Sequence, residues 1–194
     1  LRVLSPSECS GVDGEGLYTC LIENPAAECR LLSPCIRDES FLRDRVPMTK
    51  AEIRELCICR LMLREDSVVY DIGSGTGSVA LETAGLSPDI RVYAIERNAA
   101  AVQLIYDNKN SFMAYNIKAV EGEAPEALEG LEVPTHAFIG GSGGKLSEIL
   151  DALYLKNPFM RIVLTAVSLE TVARLALLKE DSRICNIEMG QVQA

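Results

Sequence analysis

The sequence predicts an α/β fold built on a doubly wound, mostly parallel sheet. Three observations predict it. Val68 to Ile72 is an apolar run that leads directly into the glycine turn Gly73-Ser74-Gly75-Thr76-Gly77. From Thr49 onward, strand-like and helix-like segments alternate regularly. Asp71, Glu96, Glu121 to Ala124 and the glycines of 140–144 all fall at the carboxyl ends of predicted strands, which is where open parallel sheets bind ligands.

Thr49 to Leu63 reads as a helix opened by a T-x-x-E capping box, Thr49 with Glu52. Val68 to Ile72 has the continuous apolar character of a strand buried on both faces, and a helix follows over 78–84. The next strand is Arg91 to Ile95, with Glu96 at its end and Asn98 as the cap of a helix over 98–109. Ile117 to Val120 is a short strand, and Pro125 suits the first position of a short helix. Ala137 to Ile139 is a strand ending in Gly140-Gly141-Ser142-Gly143-Gly144, with a helix over 145–155 behind it. Arg161 to Val167 is a further strand, Ser168 caps a helix over 169–180, and Ile184 to Met189 reads as a sixth strand.

The glycine turn carries the first chemical information. Glycine permits the tight turn and keeps side chains out from between backbone and ligand, and the N-terminus of the following helix points at whatever lies on the turn. The spacing is G-x-G-x-G. A dinucleotide fingerprint is G-x-G-x-x-G, and its third glycine position is Ser78 here. That mismatch, with the acidic Asp71 at the strand end, favours S-adenosylmethionine (SAM) over NAD. Glu96 lies about 20 residues beyond the glycines, where an acid accepts hydrogen bonds from ribose hydroxyls. The alternative for Glu96 is a solvated carboxylate near the first turn of the next helix.

Composition narrows the classes. At 194 residues and 48% apolar content, the chain suits one substantial α/β domain with a little left over. No segment approaches the ~20 uncharged apolar residues of a membrane span, and the absence of a secretory signal predicts a cytoplasmic protein. A net charge of −9 opposes nonspecific nucleic-acid binding and requires a local positive patch for any anionic substrate. The seven cysteines, at 9, 20, 29, 35, 57, 59 and 185, form no C-x-x-C pair, and their spacing predicts no metal site. Cys57 and Cys59, on a predicted helix, read as packing residues. The single histidine, His136, reads as structural, because no triad or metal partner accompanies it.

Residues 1–36 differ from the remainder. They hold four of the seven cysteines and a single strand-like run, Leu17 to Ile22, too little to form a sheet alone. They read as an N-terminal extension or the tail of a preceding domain, with the main domain over 37–194. The chain starts at Leu1 without an initiator Met, as expected of a fragment or processed piece.

Four blocks together carry a resemblance to a known family. Arg43-Asp44-Arg45-Val46-Pro47-Met48-Thr49-Lys50, the turn Tyr70 to Ser78, Glu121 to Ala127 and Phe138-Ile139-Gly140-Gly141-Ser142-Gly143-Gly144 resemble, in this order, the decarboxylating precorrin C-15 methyltransferases of cobalamin biosynthesis. The resemblance spans about residues 36 to 190. It implies a class I SAM-dependent methyltransferase fold, Rossmann-like, whose last antiparallel hairpin is missing here because the sequence stops around its first strand. It implies SAM on Gly73, Ser74, Gly75, Thr76 and Gly77, with Glu96 at the ribose where many members have Asp, Ala124 on the adenine side and Thr49 approaching the cofactor. The alternatives are that Thr49 only caps its helix and that Ala124 is a small helix-start residue.

The reaction the resemblance implies is methylation at C-15 of a precorrin or cobalt-precorrin tetrapyrrole, with loss of carbon dioxide from its C-12 acetate arm. No catalytic dyad is recognisable, so no catalytic side chain is assigned. Arg43, Arg45, Gly141, Ser142, Gly143 and Lys145 are the expected substrate-binding residues, with Arg37 and Lys50 as further cations. A solvated charged loop is the alternative for Arg43 and Arg45. The resemblance also implies a homotetramer, and Leu17 to Pro25 resembles the final strand of a C-5 methyltransferase fused ahead of this domain in some members. Two other readings stand beside this one. The first is a SAM methyltransferase acting on another small metabolite or on protein, and the second is a noncatalytic SAM-fold module.

Overall fold

Five parallel strands form one sheet in the order β3-β2-β1-β4-β5. They are β1 (Val68–Ile72), β2 (Arg91–Glu96), β3 (Ile117–Glu121), β4 (His136–Ile139) and β5 (Arg161–Leu164). The helices are α1 (Ala51–Leu61), α2 (Ser78–Gly85), α3 (Ala99–Ser111), α4 (Leu146–Lys156) and α5 (Leu169–Leu177). The computed structural model describes residues 35–178 and 181–192, all within one compact unit of the chain, Leu32–Ala194. The predicted extension over residues 1–36, with the strand-like run Leu17 to Ile22, lies outside the described residues apart from Cys35 and Ile36.

Strand order reverses at β1. It pairs with β2 on one side, Ile72 opposite Ile95, and with β4 on the other, Ile72 opposite Ile139. The chain winds outward from β1 in both directions, so a crevice opens above its carboxyl end. All five β1 residues are buried, as their apolar run requires. On one face Val69, Val92 and Ile117 pack with Ala80, Leu81 and Ile105 of α2 and α3. On the other, Tyr70, Ile72 and Ile139 pack with Leu146, Ile149 and Leu153 of α4. Helix α1 adds Cys57, Ile58 and Leu61 against Phe138 and Val79. Among the described residues no helix is long and apolar enough to cross a membrane.

The predicted elements form with small shifts, and four expectations are corrected. The capping box on Thr49 does not form: α1 starts at Ala51, Lys50 is its cap residue and no side chain caps it. Lys50 has extended backbone, and the Thr49 carbonyl ahead of it accepts from Arg54 Nη1 at 2.6 Å. Cys57 is buried, and burial pushes its thiol up to about 11, but Cys59 is exposed rather than part of the core. Strand β5 ends at Leu164 rather than Val167, since the last ladder bond is Thr165 N–H to the Ile139 carbonyl at 3.1 Å. Ile184 to Met189 forms no strand, because no ladder reaches it from β5. His136 lies buried in β4 with Nδ1 at 2.8 Å from the Thr135 hydroxyl, and burial holds its pKa down.

A buried ion pair between α1 and α2 ties the lead-in segment to α2. Arg54 has no exposed surface, and its Nε donates to Glu82 Oε1 at 2.7 Å. Its Nη1 reaches Asp38 Oδ1 at 3.1 Å, Nη2 donates to the Ile36 carbonyl, and the guanidinium stacks 4.7 Å from the Phe41 ring. Glu82 → Ala strands the guanidinium without its closest carboxylate. It is expected to cost about 3–5 kcal/mol in urea unfolding, whereas Arg54 → Met combined with Glu82 → Leu should cost less than that single change.

Candidate active site

The glycine turn sits at the carboxyl end of β1, and two other segments press against its backbone. Gly73 has φ +72°, and a β-carbon there would lie 2.6 Å from the carbonyl oxygen of Gly141. Gly75 has φ +58°, and its β-carbon would lie 2.8 Å from the Pro47 carbonyl oxygen. Both positions demand glycine twice over, for the left-handed backbone and for the close approach. The Arg43 to Lys50 block and the 140–144 loop, far apart in sequence, thus meet on the same turn. Ser78 opens α2 immediately behind it.

Two acids support the turn from below and beside. Asp71 is buried. Its Oδ2 accepts from Ser74 Oγ at 2.6 Å and from Ala80 N–H at 3.1 Å, while Oδ1 is buried without a hydrogen-bond partner among the described residues. Burial pushes the Asp71 carboxyl up to about 6, against the opposing pull of those two bonds. Ser74 is therefore engaged in holding the turn's shape. Glu96 is half-buried beside the turn: Oε2 accepts the Gly75 N–H and Oε1 the Asn98 N–H, both at 2.9 Å. Asn98 caps α3 through Ala100 N–H and Ala101 N–H. Thr76 has a buried hydroxyl without a hydrogen-bond partner among the described residues, and its carbonyl accepts from Asn108 Nδ2 at 2.9 Å.

The Arg43 to Lys50 block is delivered to the turn by residues outside it. Asn108 on α3 binds Leu42 at both its N–H and its carbonyl, each at 2.8 Å, and Arg54 holds Thr49. Thr49 is half-buried, and Arg43 and Arg45 are exposed. On the opposite rim, Glu123 is gripped by Arg97 at 2.8 Å and Lys145 at 3.0 Å, and Lys145 also reaches Glu126 at 3.3 Å. These cations hold the Glu123 carboxyl below the usual range, Lys145 contributing most. Lys145 is thus already neutralised by two carboxylates. Ala124 is buried among Ile72, Ile95 and Leu128, so contact with a cofactor from this residue is left to its backbone.

Beyond the turn, the 140–144 loop forms one wall of a cleft of about 240 Å³ whose other wall is the segment from Leu164 to Arg174. Gly141 therefore has two sides: it seals against Gly73 and it also lines this cleft. Arg174 Nη1 donates to the Gly144 carbonyl at 2.7 Å and spans the cleft.

Several of these residues carried sequence signals that pointed elsewhere. Arg54 stands with Cys57, Ile58 and Leu61 on one helical stripe, so a charge on an apolar face was its signature. Glu82 lies inside a helix whose other residues before Gly85 are all buried. Arg97 and Asn108 had no local signal. Arg174 follows Glu170 by four residues and reads as an ordinary surface pair.

Comparison with known proteins shows the family and the fold. The model of a precorrin methyltransferase domain family matches residues 39–193. The chain is 41% identical over 139 residues to the cobalt-precorrin-6B C(15)-methyltransferase (decarboxylating) of Salmonella typhimurium, covering 71% of each chain. Its fold matches a crystal structure of precorrin-6y C5,15-methyltransferase from Geobacter metallireducens with TM-score 0.72 and 40% identity, covering 76% of this chain and 79% of that one. It also matches a precorrin 8w decarboxylase from Methanobacterium thermoautotrophicum with TM-score 0.70 and 38% identity, covering 76% and 81% of the two chains.

Two outcomes are expected of the turn itself. Gly73 → Ala should destabilise the protein by at least about 1 kcal/mol through the left-handed backbone alone, with the Gly141 clash added. Gly141 → Ala, whose β-carbon meets nothing within 4 Å, should unfold at nearly the wild-type urea midpoint. Asp71 should also imprint a pH dependence. Its folded pKa of about 6 lies above the ordinary 3.8, so the folded state binds the proton more tightly. Its contribution is most favourable below 3.8 and is lost as pH rises through 6. Measured against Asp71 → Asn, wild-type stability is expected to fall by roughly 2 kcal/mol between pH 4 and pH 7.

Proposed function

The chain belongs to the precorrin methyltransferase family, and on that premise we propose that it methylates C-15 of a precorrin or cobalt-precorrin tetrapyrrole. The methyl donor is S-adenosyl-L-methionine, and the C-12 acetate arm loses carbon dioxide, a step of cobalamin biosynthesis. The observation that carries this reading is the double role of Gly141. One residue separates a glycine turn suited to an adenosyl cofactor from a cleft suited to a second molecule.

The residues at the turn fit the cofactor. Three left-handed glycines give the turn its tight backbone path, and a carboxylate stands beside it. Gly73 to Gly77 would hold the cofactor, Glu96 would accept from the ribose, and Thr49 and the backbone at Ala124 would flank it. Each Glu96 oxygen accepts one backbone N–H and keeps a further lone pair for a ribose hydroxyl. When bound, SAM supplies an electrophilic methyl group.

The chain's contribution is alignment and exclusion of water rather than proton abstraction. The electron-rich macrocycle provides the attacking carbon. Loss of carbon dioxide leaves its electron pair on the ring system, and a solvent proton completes the methyl group that remains at C-12. Binding the polyanionic substrate falls to Arg43, Arg45 and the backbone of Gly141, Ser142 and Gly143. Lys145 acts on this loop through Glu123 and Glu126.

Incubation of the full chain with SAM and either precorrin-6B or cobalt-precorrin-6B, followed by mass spectrometry, tests the reaction. The expected product carries one added methyl group and has lost one carbon dioxide, and an unchanged mass with both substrates would overturn the reading. Arg45 → Ala is expected to raise the KM for the tetrapyrrole far more than that for SAM. Equal or absent effects on the two would remove Arg45 from the substrate site.

A further inference from the structure

We infer that Arg174 seats one of the carboxylates that the tetrapyrrole keeps through the reaction, and that Glu170 occupies the guanidinium until the substrate displaces it. The inference rests on the tetrapyrrole reading above and names where the substrate's charge is read. Among the described residues that line the cleft beside the 140–144 loop, Arg174 and Glu170 are the only charged ones. The Arg174 guanidinium is pinned across the cleft by its 2.7 Å bond to the Gly144 carbonyl, and its Nη2 donates to Glu170 Oε1 at 2.9 Å. A guanidinium presents five donors in a planar fork, so these two bonds leave further donors for an arriving carboxylate. Its side chain is 40% exposed, whereas that of Glu170 is 73% exposed, so Glu170 can swing into water at little cost.

The chemistry decides which carboxylate binds here. An arginine stabilises a carboxylate anion by charge-assisted, bidentate hydrogen bonds. Stabilising the ground state of the carboxylate that departs as carbon dioxide would raise the barrier to its loss. Arg174 therefore holds a carboxylate that is not lost, and it acts as a positioning residue. Anchoring one arm of the macrocycle at Gly144 fixes the ring relative to Gly141, and hence relative to the glycine turn that Gly141 contacts. The acidic chain, with net charge −9, also gains discrimination: a weakly anionic molecule cannot evict Glu170, while a polycarboxylate can.

Opposite signs at the two residues test the inference. With the full chain, tetrapyrrole binding is followed by absorbance titration and turnover by mass spectrometry, while SAM binding is followed by calorimetry. Arg174 → Gln is expected to weaken tetrapyrrole binding and raise its KM about tenfold or more, leaving SAM affinity within twofold. Arg174 → Lys should recover part of the loss. Glu170 → Gln, which removes the competing anion, is expected to tighten binding and lower KM. A purely structural pair would weaken binding in both variants, and that result, or an Arg174 → Gln KM within twofold of wild type, would overturn the inference. Wild-type protein that binds the tetrapyrrole without converting it would sink the reaction but leave the binding comparison to decide Arg174. Wild-type protein that does not bind it would overturn both.

Discussion

A guanidinium buried without any exposed surface organises this molecule. Arg54 cannot leave a donor unmet inside the protein, and it satisfies them on Glu82, Asp38 and the carbonyls of Thr49 and Ile36. Every one of those partners except Glu82 lies in the segment ahead of α1. Glu82 in turn accepts the Ile36 N–H at 2.8 Å and stands on α2, the helix that the glycine turn opens. One charge pair therefore fastens the lead-in segment to the helix of the cofactor turn. Asn108 adds a second fastening at Leu42 and a bond to Thr76 within the turn. Between these anchors the chain passes Pro47, whose carbonyl rests against Gly75. Burying an ion pair adds little net stability; what it secures here is the register of one loop against another.

The rim of the site shows how an acidic protein can take a polyanionic substrate. Three of its cations are held in place by its own carboxylates: Arg97 and Lys145 by Glu123, and Arg174 by Glu170. Such pairs suppress nonspecific attraction of anions and keep long side chains oriented. On the proposed function, an incoming carboxylate would exchange for one already present, and recognition would be a competition between anions rather than simple attraction. Gly143 belongs to the same arrangement, since a β-carbon there would lie 3.0 Å from Glu123 and 3.2 Å from Arg97. The loop's glycines thus serve its packing against a salt bridge as much as its approach to a ligand.

Much of the site was legible before any coordinates. The apolar strand, the left-handed glycines and the Asn98 cap all depend on residues close together in sequence, and each forms as read; Glu96 stands at the strand end as expected, with the Gly75 and Asn98 N–H groups on its oxygens. Failures came where packing or pairing overrode a local preference. Thr49 with Glu52 is a sound capping box, yet Arg54 claims the Thr49 carbonyl and the helix starts two residues later. Ile184 to Met189 has strand character, but a strand exists only with a paired neighbour. Cys59 lies two residues from a buried cysteine and consequently on another face of α1, turned to solvent.

By itself the sequence determined the order of strands and helices, the left-handed turn at Gly73, Gly75 and Gly77, and the acids stationed at the strand ends. These follow from periodicity, backbone freedom and short-range hydrogen bonding, which act within a few residues. Only the tertiary structure decided which charges would be buried together and which would face the cleft. Arg54 meets Glu82 across 28 positions, Leu42 meets Asn108 across 66 and Arg174 meets Gly144 across 30. Electrostatic pairing depends on distance in space, and folding the sheet around β1 is what sets those distances.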